Sequence, residues 1–373
     1  MDRRPLPWRP ILLWALVGTV LGTGLVLFDL RSSSAVAGGL VHTGPTGPTS
    51  ALIATDFPDQ AQFTYGESDG PMFYAVARDF WDLDRAAESL DRPRYRLTRP
   101  AYPFFGWLLH PTGGGDGLVV SLFVVNVAAM FIAAVSLGSL SATLRGPPWL
   151  GVLVTLLPGA QMAVRIECAD LLAVALMLAA TVLLLRGRWV GATAVAVVAV
   201  LTKEPVLLTF IGLALWRRDR RGAIFVGVPI VLLGLWYVYV RLRFSDSGQD
   251  VIEFGPPFVG IVDSGRLLWS QGEHGYALLS FVGLVVLSAV GIARHRLGHP
   301  LMPALVLNLA LVSLLSITPI GLARNGTRSV LPAMVLALVL AATPAQTWRR
   351  VATPAVASRS RPASDAAGAL AVD

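Results

Sequence analysis

The chain has 373 residues, of which 54% are hydrophobic and only 14% are charged, and its mean hydropathy is +0.64. Soluble domains usually carry about a quarter charged residues, so this composition excludes an ordinary soluble enzyme. The formal net charge of +7 does not indicate a nucleic-acid partner, because the basic residues of membrane proteins gather in cytoplasmic loops. We therefore expect membrane lipid, and no nucleic acid, around this chain.

Apolar segments recur along the sequence and predict about ten membrane spans. A span needs about 20 apolar residues, so the shorter segments must extend into polar flanks, and the two segments around residue 203 are alternatively a re-entrant pair. The first segment is longer than the apolar core of a signal peptide, which favours an uncleaved span. The predicted spans cover residues 11–29, 117–140, 149–164, 168–185, 189–202, 205–216, 222–242, 275–293, 301–317 and 329–343.

The distribution of arginines predicts that both termini lie in the cytoplasm. This orientation places the basic clusters at 216–221 and 293–296 on the cytoplasmic side, where Lys and Arg are enriched. Seven arginines of the opposite side fall in one loop of more than 80 residues, 30–116, and such long loops escape the rule. Arginine also replaces lysine almost everywhere, which is typical of a GC-rich genome and favours a bacterial cytoplasmic membrane.

The predicted fold is all-α: a polytopic transmembrane helix bundle over residues 1–350. Two stretches, 30–116 and 243–274, form external loops, and the first has an aromatic run at 72–83 that predicts an interfacial helix. The second loop contains an amphipathic-looking segment at 258–269. Residues 351–373 are rich in Ala, Ser, Pro and Arg and predict a disordered cytoplasmic tail.

Two carboxylates in the first external loop are candidate catalytic groups. Glu67 and Asp69 flank one residue directly before the aromatic run. A pair in this position could act as a general base with a supporting acid or metal ligand, which keeps a divalent cation open as a cofactor. The alternative is that both are solvated loop charges, one of them capping the next helix.

Charged residues also occur in the short outer loops between later spans. An ionisable residue at the end of a span needs a partner or a water-filled cavity, and cations there could bind a phosphate. Lys203 is the only lysine of the chain. The alternative is snorkelling or local ion pairs, such as Arg165 with Asp170. The residues concerned are Arg165, Glu167, Asp170, Lys203, Glu204, Arg324 and Arg328.

This pattern resembles the glycosyltransferase C superfamily, multi-spanning enzymes that use polyprenyl-phosphate-linked sugars. Glu67-Ser68-Asp69 resembles the E-x-D form of its modified D-x-D motif, and Asp69–Tyr74 resembles the start of its first interfacial helix. The segment 94–103 is similar to the one that precedes its second span. Thr202-Lys203-Glu204 and 328–332 resemble the later basic motifs of related actinobacterial membrane proteins.

The resemblance implies inverting transfer of a sugar from a polyprenyl-phosphate donor to an acceptor at the outer face of the membrane, in the assembly of the cell envelope. Asp69 is then the base and Glu67 its helper or a metal ligand. The donor phosphate is bound by Lys203, Arg328, Arg324 and Arg165. The residues expected to support the acceptor or the site are Tyr74, Arg96, Arg99 and Glu204. The alternatives are a lipid or solute transporter or flippase, which would need charges deep within the spans, and a non-catalytic membrane protein that retains the fold.

Overall fold

The computed structural model describes residues 5–32, 49–58, 69–245, 253–271, 274–295 and 298–345. Over these residues the structure is helical, with one isolated antiparallel bridge between Phe254 and Leu315, so the predicted all-α class is confirmed. Glu67 and the tail at 351–373 lie outside the described residues.

In the first part of the chain, two long helices are separated by a loop that contains several short helices. Its helices are Trp8–Ser32, Ser50–Asp56, Gly70–Arg78, Leu83–Glu88, Pro93–Arg96, Ala101–Leu109, Asp116–Thr143, Gly151–Leu156 and Pro158–Arg165, with a 3-10 turn at Pro148–Leu150. Later helices are Asp170–Leu185, Trp189–Thr202, Leu207–Arg217, Arg220–Arg243, Val259–Gln271, His274–Arg294, Met302–Leu314, Ile317–Ile320, Ala323–Ser329 and Leu331–Ala342, with a 3-10 turn at Glu204–Val206.

Four of the described helices are long and apolar enough to cross a membrane. They are Trp8–Arg31, Asp116–Thr143, Arg220–Arg243 and Ala277–Arg294. A fifth crossing is obtained if Ala323–Ser329 and Leu331–Ala342, which meet at 52°, are counted as one broken span. Helix length and composition therefore give four or five candidate spans, where the sequence predicted ten. The remaining predicted spans correspond to shorter apolar helices, such as Asp170–Leu185, Trp189–Thr202 and Met302–Leu314.

The continuous helix expected over 149–164 is broken in the structure. Gly151–Leu156 and Pro158–Arg165 are separate helices, because Leu157 between them is extended with ψ of 135°. A residue that precedes proline is disfavoured from the helical region by the proline ring. The break redirects the chain before Arg165.

Helices approach one another closely where small residues face each other. The long helix Asp116–Thr143 packs against the first helix and against Asp170–Leu185. A Cβ on Gly151 would lie 2.3 Å from the carbonyl oxygen of Ala134, and one on Gly212 would lie 2.4 Å from the Cα of Ala304. Such contacts between small residues are typical of helix packing in membranes.

The described part of the predicted first loop, residues 49–58 and 69–115, is folded onto the bundle. Helix Gly70–Arg78 is buried along almost its whole length, so the helix expected to lie at the membrane surface is instead enclosed by protein. The exposed aromatic surface lies beside it, where Trp81 is 73% exposed and packs edge-on against Trp107. Leu108 and Leu109 extend this surface. The segment predicted to be amphipathic in the second loop forms helix Val259–Gln271, which exposes Val262 and Trp269.

Candidate functional site

Asp69 lies immediately before helix Gly70–Arg78, but its side chain does not cap that helix. The helix is begun instead by the Asp69 carbonyl oxygen, which accepts from the N–H groups of Met72 and Phe73. The carboxylate turns to two arginines. Nη1 of Arg96 donates to Oδ1 over 2.6 Å, and both Nη atoms of Arg328 donate to Oδ2 over 3.2 Å. Asp69 therefore bridges two guanidinium groups and is not an ordinary solvated cap.

Arg328 uses every hydrogen-bond donor that a guanidinium has. Its Nε–H donates to the carbonyl of Arg324 over 3.1 Å. Nη1 donates to Oδ2 of Asp170 over 3.0 Å in addition to Asp69, and Nη2 donates to Oδ1 of Asn325 over 2.7 Å in addition to Asp69. A guanidinium has five N–H donors, so the five contacts saturate this side chain. Arg328 is also almost fully buried.

Lys203 joins the same group of charges through Asp170. The Lys203 ammonium donates to Oδ1 of Asp170, whose other oxygen accepts from Arg328. Asp91 belongs to the same group on the far side of Arg96, because its carboxylate accepts hydrogen bonds from Nε and Nη2 of Arg96 over 2.8 and 3.0 Å. We call this set of alternating charges the Asp69 network. Its members are Asp69, Asp91, Arg96, Asp170, Lys203 and Arg328.

The network strongly stabilises the ionised form of Asp69. Burial by itself would raise the pKa of this carboxyl, but Arg328 and Arg96, with Lys203 and Arg99 farther away, outweigh burial and hold the pKa well below its usual range. Since an opposite charge at contact distance favours the charged form, Asp69 is a carboxylate at any physiological pH in this arrangement.

A second buried ion pair lies next to the network. Nε of Arg99 donates to both oxygens of Glu204 over 3.0 and 3.2 Å, and Glu204 also accepts from the hydroxyl of Tyr237 over 2.8 Å. Nη2 of Arg99 donates to the hydroxyl of Tyr95 over 2.9 Å. The Tyr95 ring is surrounded by guanidinium groups, with Arg92 and Arg99 each 4.5 Å and Arg96 5.3 Å from its centroid, so it connects the Arg99–Glu204 pair to the Asp69 network.

Three of the predicted site residues make their described contacts elsewhere. Arg165 pairs with Asp29 of the first helix over 2.8 Å, and not with Asp170 as the local-pair alternative suggested. The Tyr74 hydroxyl donates to Asp56 over 2.6 Å, which ties two segments of the first loop together. Arg324 contributes its backbone carbonyl to Arg328.

Glu167 differs from the other charged residues of the outer loops. It is fully buried, and neither of its carboxyl oxygens has a hydrogen-bond partner among the described residues. Its backbone is in the left-handed region with φ of 51°, which is uncommon for a residue with a side chain. Burial raises the pKa of this carboxyl well above its ordinary value, because an apolar environment disfavours the charged form.

Within the described part of the chain, no group of three or more His, Cys, Asp or Glu side chains is arranged to hold a metal ion. A divalent cation supported by Glu67 stays a prediction, because Glu67 lies outside the described residues. Asp69 and Asp170 are each engaged by cationic side chains.

Several members of the site were not predicted from the sequence. Asp91, Tyr95 and Asn325 were not singled out, and Asp170 was noted only as a charge at the end of a span. Tyr95 had a detectable signal, because four arginines stand within four residues of it, at Arg92, Arg94, Arg96 and Arg99.

Comparison of the chain with protein-family models, with curated proteins and with solved structures gives no match.

Proposed function

We propose that this chain is a polytopic membrane glycosyltransferase that transfers a sugar from a polyprenyl-phosphate-linked donor to an acceptor at the outer face of a bacterial cytoplasmic membrane. The observation that carries the proposal is the direct contact of Asp69 with Arg96 and Arg328, and the link to Lys203 through Asp170. A carboxylate beside several buried or partly buried cations combines a candidate base with a site for a phosphate. Asp69 and Arg328 are 259 positions apart, so this convergence is a property of the fold.

The proposal includes ten passages of the chain, with both termini in the cytoplasm. Support comes first from contacts among residues that this topology assigns to the outer face. Lys203 contacts Asp170, Arg328 contacts Asp69, and Arg94 donates to the carbonyl of Phe244. These contacts join outer ends that are separated along the chain by apolar helices.

A second set of contacts joins residues assigned to the inner face. Nε1 of Trp216 donates to the carbonyl of Gly298 over 2.9 Å, and Arg294 donates to the carbonyl of Ala341. Gly146 lies against Thr343. If the chain runs back and forth between the outer and the inner ends, each short apolar helix is an additional passage. Irregular turns such as Glu204–Val206 then extend the short helices to the membrane surface.

In the proposed reaction, Asp69 accepts the proton of the acceptor hydroxyl, whose oxygen attacks the anomeric carbon of the donor. The bond from that carbon to the phosphate oxygen breaks as the new glycosidic bond forms, so the configuration inverts and polyprenyl phosphate leaves. Arg96 and Arg328 stabilise the negative charge that develops on the leaving phosphate. Lys203 supports this charge from the far side of Asp170.

The proposal is tested with the purified protein in vesicles that contain a polyprenyl-phosphate-linked radiolabelled sugar and membrane extract as a source of acceptor. We expect Asp69→Asn to lower transfer by a factor of about 10² or more, since a positioned general base contributes 10²–10⁴. Asp84→Asn is the control, because Asp84 pairs with Arg243 on an exposed surface. Full transfer by a folded Asp69→Asn variant would remove Asp69 from the catalytic role.

The transporter or flippase alternative is favoured by one observation, the buried Glu167, whose carboxyl oxygens have no hydrogen-bond partner among the described residues. Ionisable residues inside membrane proteins often mark proton or substrate pathways. Vesicles with a nitrobenzoxadiazole-labelled lipid separate the two functions, because a flippase exposes the label of both leaflets to dithionite. A flippase would allow almost all of the label to be bleached. Bleaching of only about half, the outer-leaflet share that is also lost in vesicles without protein, supports the transferase.

A further inference from the structure

The Asp69 network is nearly balanced in charge and its central arginine is saturated. Arg96, Lys203 and Arg328 supply three positive charges, and Asp69, Asp91 and Asp170 supply three negative ones. One further cation, Arg92, pairs with Asp91 over 3.7 Å at the edge of the network. All five donors of Arg328 are used. An anionic ligand that approaches this arginine therefore finds no available donor. Binding requires that one of the present acceptors moves away.

The two carboxylates on Arg328 are not equally held. The Asp170 side chain is only 5% exposed and is fixed by Lys203 as well as by Arg328. The Asp69 side chain is 26% exposed, so solvent and ligands reach it. Its departure would release donors on both Nη atoms of Arg328 and on Nη1 of Arg96. Asp69 is thus the acceptor that an anion displaces most easily.

We propose that the Asp69 carboxylate occupies the binding place of an oxyanion, a phosphate ester in the proposed reaction, and that the entering anion displaces it from Arg96 and Arg328. Carboxylate and phosphate oxygens both accept from guanidinium forks, so one can substitute for the other. The inference rests on the anion site of the proposed function. It assigns Asp69 a second role, as an internal competitor that is removed by the substrate.

The displacement couples anion binding to the activity of the base. While it bridges two guanidinium groups, Asp69 is too weakly basic to accept a proton efficiently, because a general base works best with a pKa near the working pH. A displaced carboxylate loses both contacts and stands beside a bound anion, and both changes favour its protonated form. Linkage is reciprocal: if anion binding raises the pKa of Asp69, then the deprotonated Asp69 carboxylate must weaken anion binding. The base is therefore activated only when the donor is present.

The competition is tested by calorimetric titration of the full-length protein in detergent with inorganic phosphate. We expect Asp69→Asn to bind phosphate at least about fivefold more tightly than the wild type, since a full negative charge at contact distance from both arginines is removed. Asp84→Asn, which neutralises a carboxylate paired with Arg243 on the exposed surface, is expected to bind like the wild type. Equal or weaker binding by Asp69→Asn would mean that Asp69 only stabilises the fold, and would overturn the inference.

A second measurement serves if Asp69→Asn does not fold. Sulfate resembles phosphate but does not titrate in the relevant range, so the wild-type protein can be titrated with sulfate at about pH 4.5 in two buffers of different ionisation enthalpy. Displacement of Asp69 predicts uptake of a measurable fraction of a proton on binding, and binding without uptake contradicts it.

Neither titration contains a sugar, so the two proposals can fail separately. Tighter phosphate binding by Asp69→Asn without any glycosyl transfer by the wild type would leave the competition standing and remove the transferase. Glycosyl transfer by the wild type with unchanged phosphate binding in Asp69→Asn would support the transferase and remove the competition.

Discussion

Glu167 is the residue whose environment departs most from what its chemistry requires. It is buried, its carboxyl oxygens have no described partner, and burial raises its pKa well above the ordinary 4.5. A carboxyl whose pKa is raised on folding stabilises the protein most below its unfolded pKa, and this contribution is lost as pH rises toward the folded pKa. Wild-type stability should therefore fall above about pH 4.5 by up to about 1.4 kcal/mol per pH unit.

Glu167→Gln cannot ionise, so it should remove this decrease of stability with rising pH. We expect the melting temperature of Glu167→Gln to exceed that of the wild type by more at about pH 8 than at about pH 5, as measured by tryptophan fluorescence in detergent. Glu88→Gln, at an exposed position, controls for the loss of one carboxylate and should follow the wild type at both values. Parallel melting curves for Glu167→Gln and the wild type would show that Glu167 is already ionised in the fold.

The Arg99–Glu204 pair depends on the shape of the guanidinium as well as on its charge. Arg99 donates to both Glu204 oxygens and to Tyr95, and its plane packs near the Tyr95 ring. A lysine keeps the charge but not the fork, so Arg99→Lys should lower the free energy of unfolding by about 1–3 kcal/mol. Arg85→Lys, whose side chain is 60% exposed, should change it by less than about 0.5 kcal/mol. Denaturant titration of both variants measures the difference.

At the residue scale, the charged side chains identified from the sequence include four that lie together, but their contact partners were mostly not predicted. Asp69, Arg96, Lys203 and Arg328 were identified by position and type, and they lie in one network. Arg165, predicted to bind phosphate with a local pair to Asp170 as the alternative, pairs instead with Asp29, which is 136 positions away. Contacts of this range depend on how the helices pack, which residue type and local spacing do not specify.

Among the helices, Pro158–Arg165 and Ala323–Ser329 are in close backbone contact near the site. A Cβ on Gly159 would lie 2.3 Å from the carbonyl oxygen of Thr327 and 3.4 Å from the Cα of Arg328. Since the obstacle is backbone, Gly159→Ala must push the helix that carries Arg328 away. Overpacking of this kind costs about 1–3 kcal/mol, and we expect both a lower melting temperature and weaker phosphate binding.

Gly227→Ala provides the matched control for this substitution. Gly227 is also within a helix, but a Cβ there meets nothing within 4 Å, and alanine is the better helix former. Its melting temperature and phosphate binding should equal or exceed those of the wild type. If Gly159→Ala behaves in the same way, the contact between the two helices is not tight enough to position Arg328.

Helix ends were predictable where the sequence carries a local signal, and breaks within apolar segments were not. The span predicted at 189–202 coincides with helix Trp189–Thr202, which ends before Lys203-Glu204-Pro205. The segment 149–164 is also largely apolar, and its hydropathy concealed the break that Pro158 introduces. Hydropathy reports the solvent around a segment, whereas the direction of the backbone is determined by proline and by the packing of neighbouring helices.

Over the whole molecule, the proposed ten passages depend on contacts at two sets of helix ends, because only four or five of the described helices are long enough to span by themselves. The decisive element is the hairpin of Asp170–Leu185 and Trp189–Thr202. Its open end is fixed at the network by the Lys203–Asp170 contact. In the proposed topology its turn, at Arg186–Arg188, reaches the cytoplasm, whereas in a protein of four or five spans the hairpin stays within the outer half of the membrane.

Single cysteines distinguish these topologies, because Cys168 is the only native cysteine and is buried. On a Cys168→Ala background, Thr112→Cys should react with an impermeant maleimide in intact spheroplasts. Arg188→Cys and Arg220→Cys should react only after the membrane is permeabilised, since both native residues are exposed on the proposed inner side. Labelling of Arg188→Cys in intact spheroplasts, with Arg220→Cys protected, would make the hairpin re-entrant and reduce the number of passages. Labelling of both, with Thr112→Cys protected, would invert the orientation and place the Asp69 network in the cytoplasm, where a donor at the outer face could not reach it.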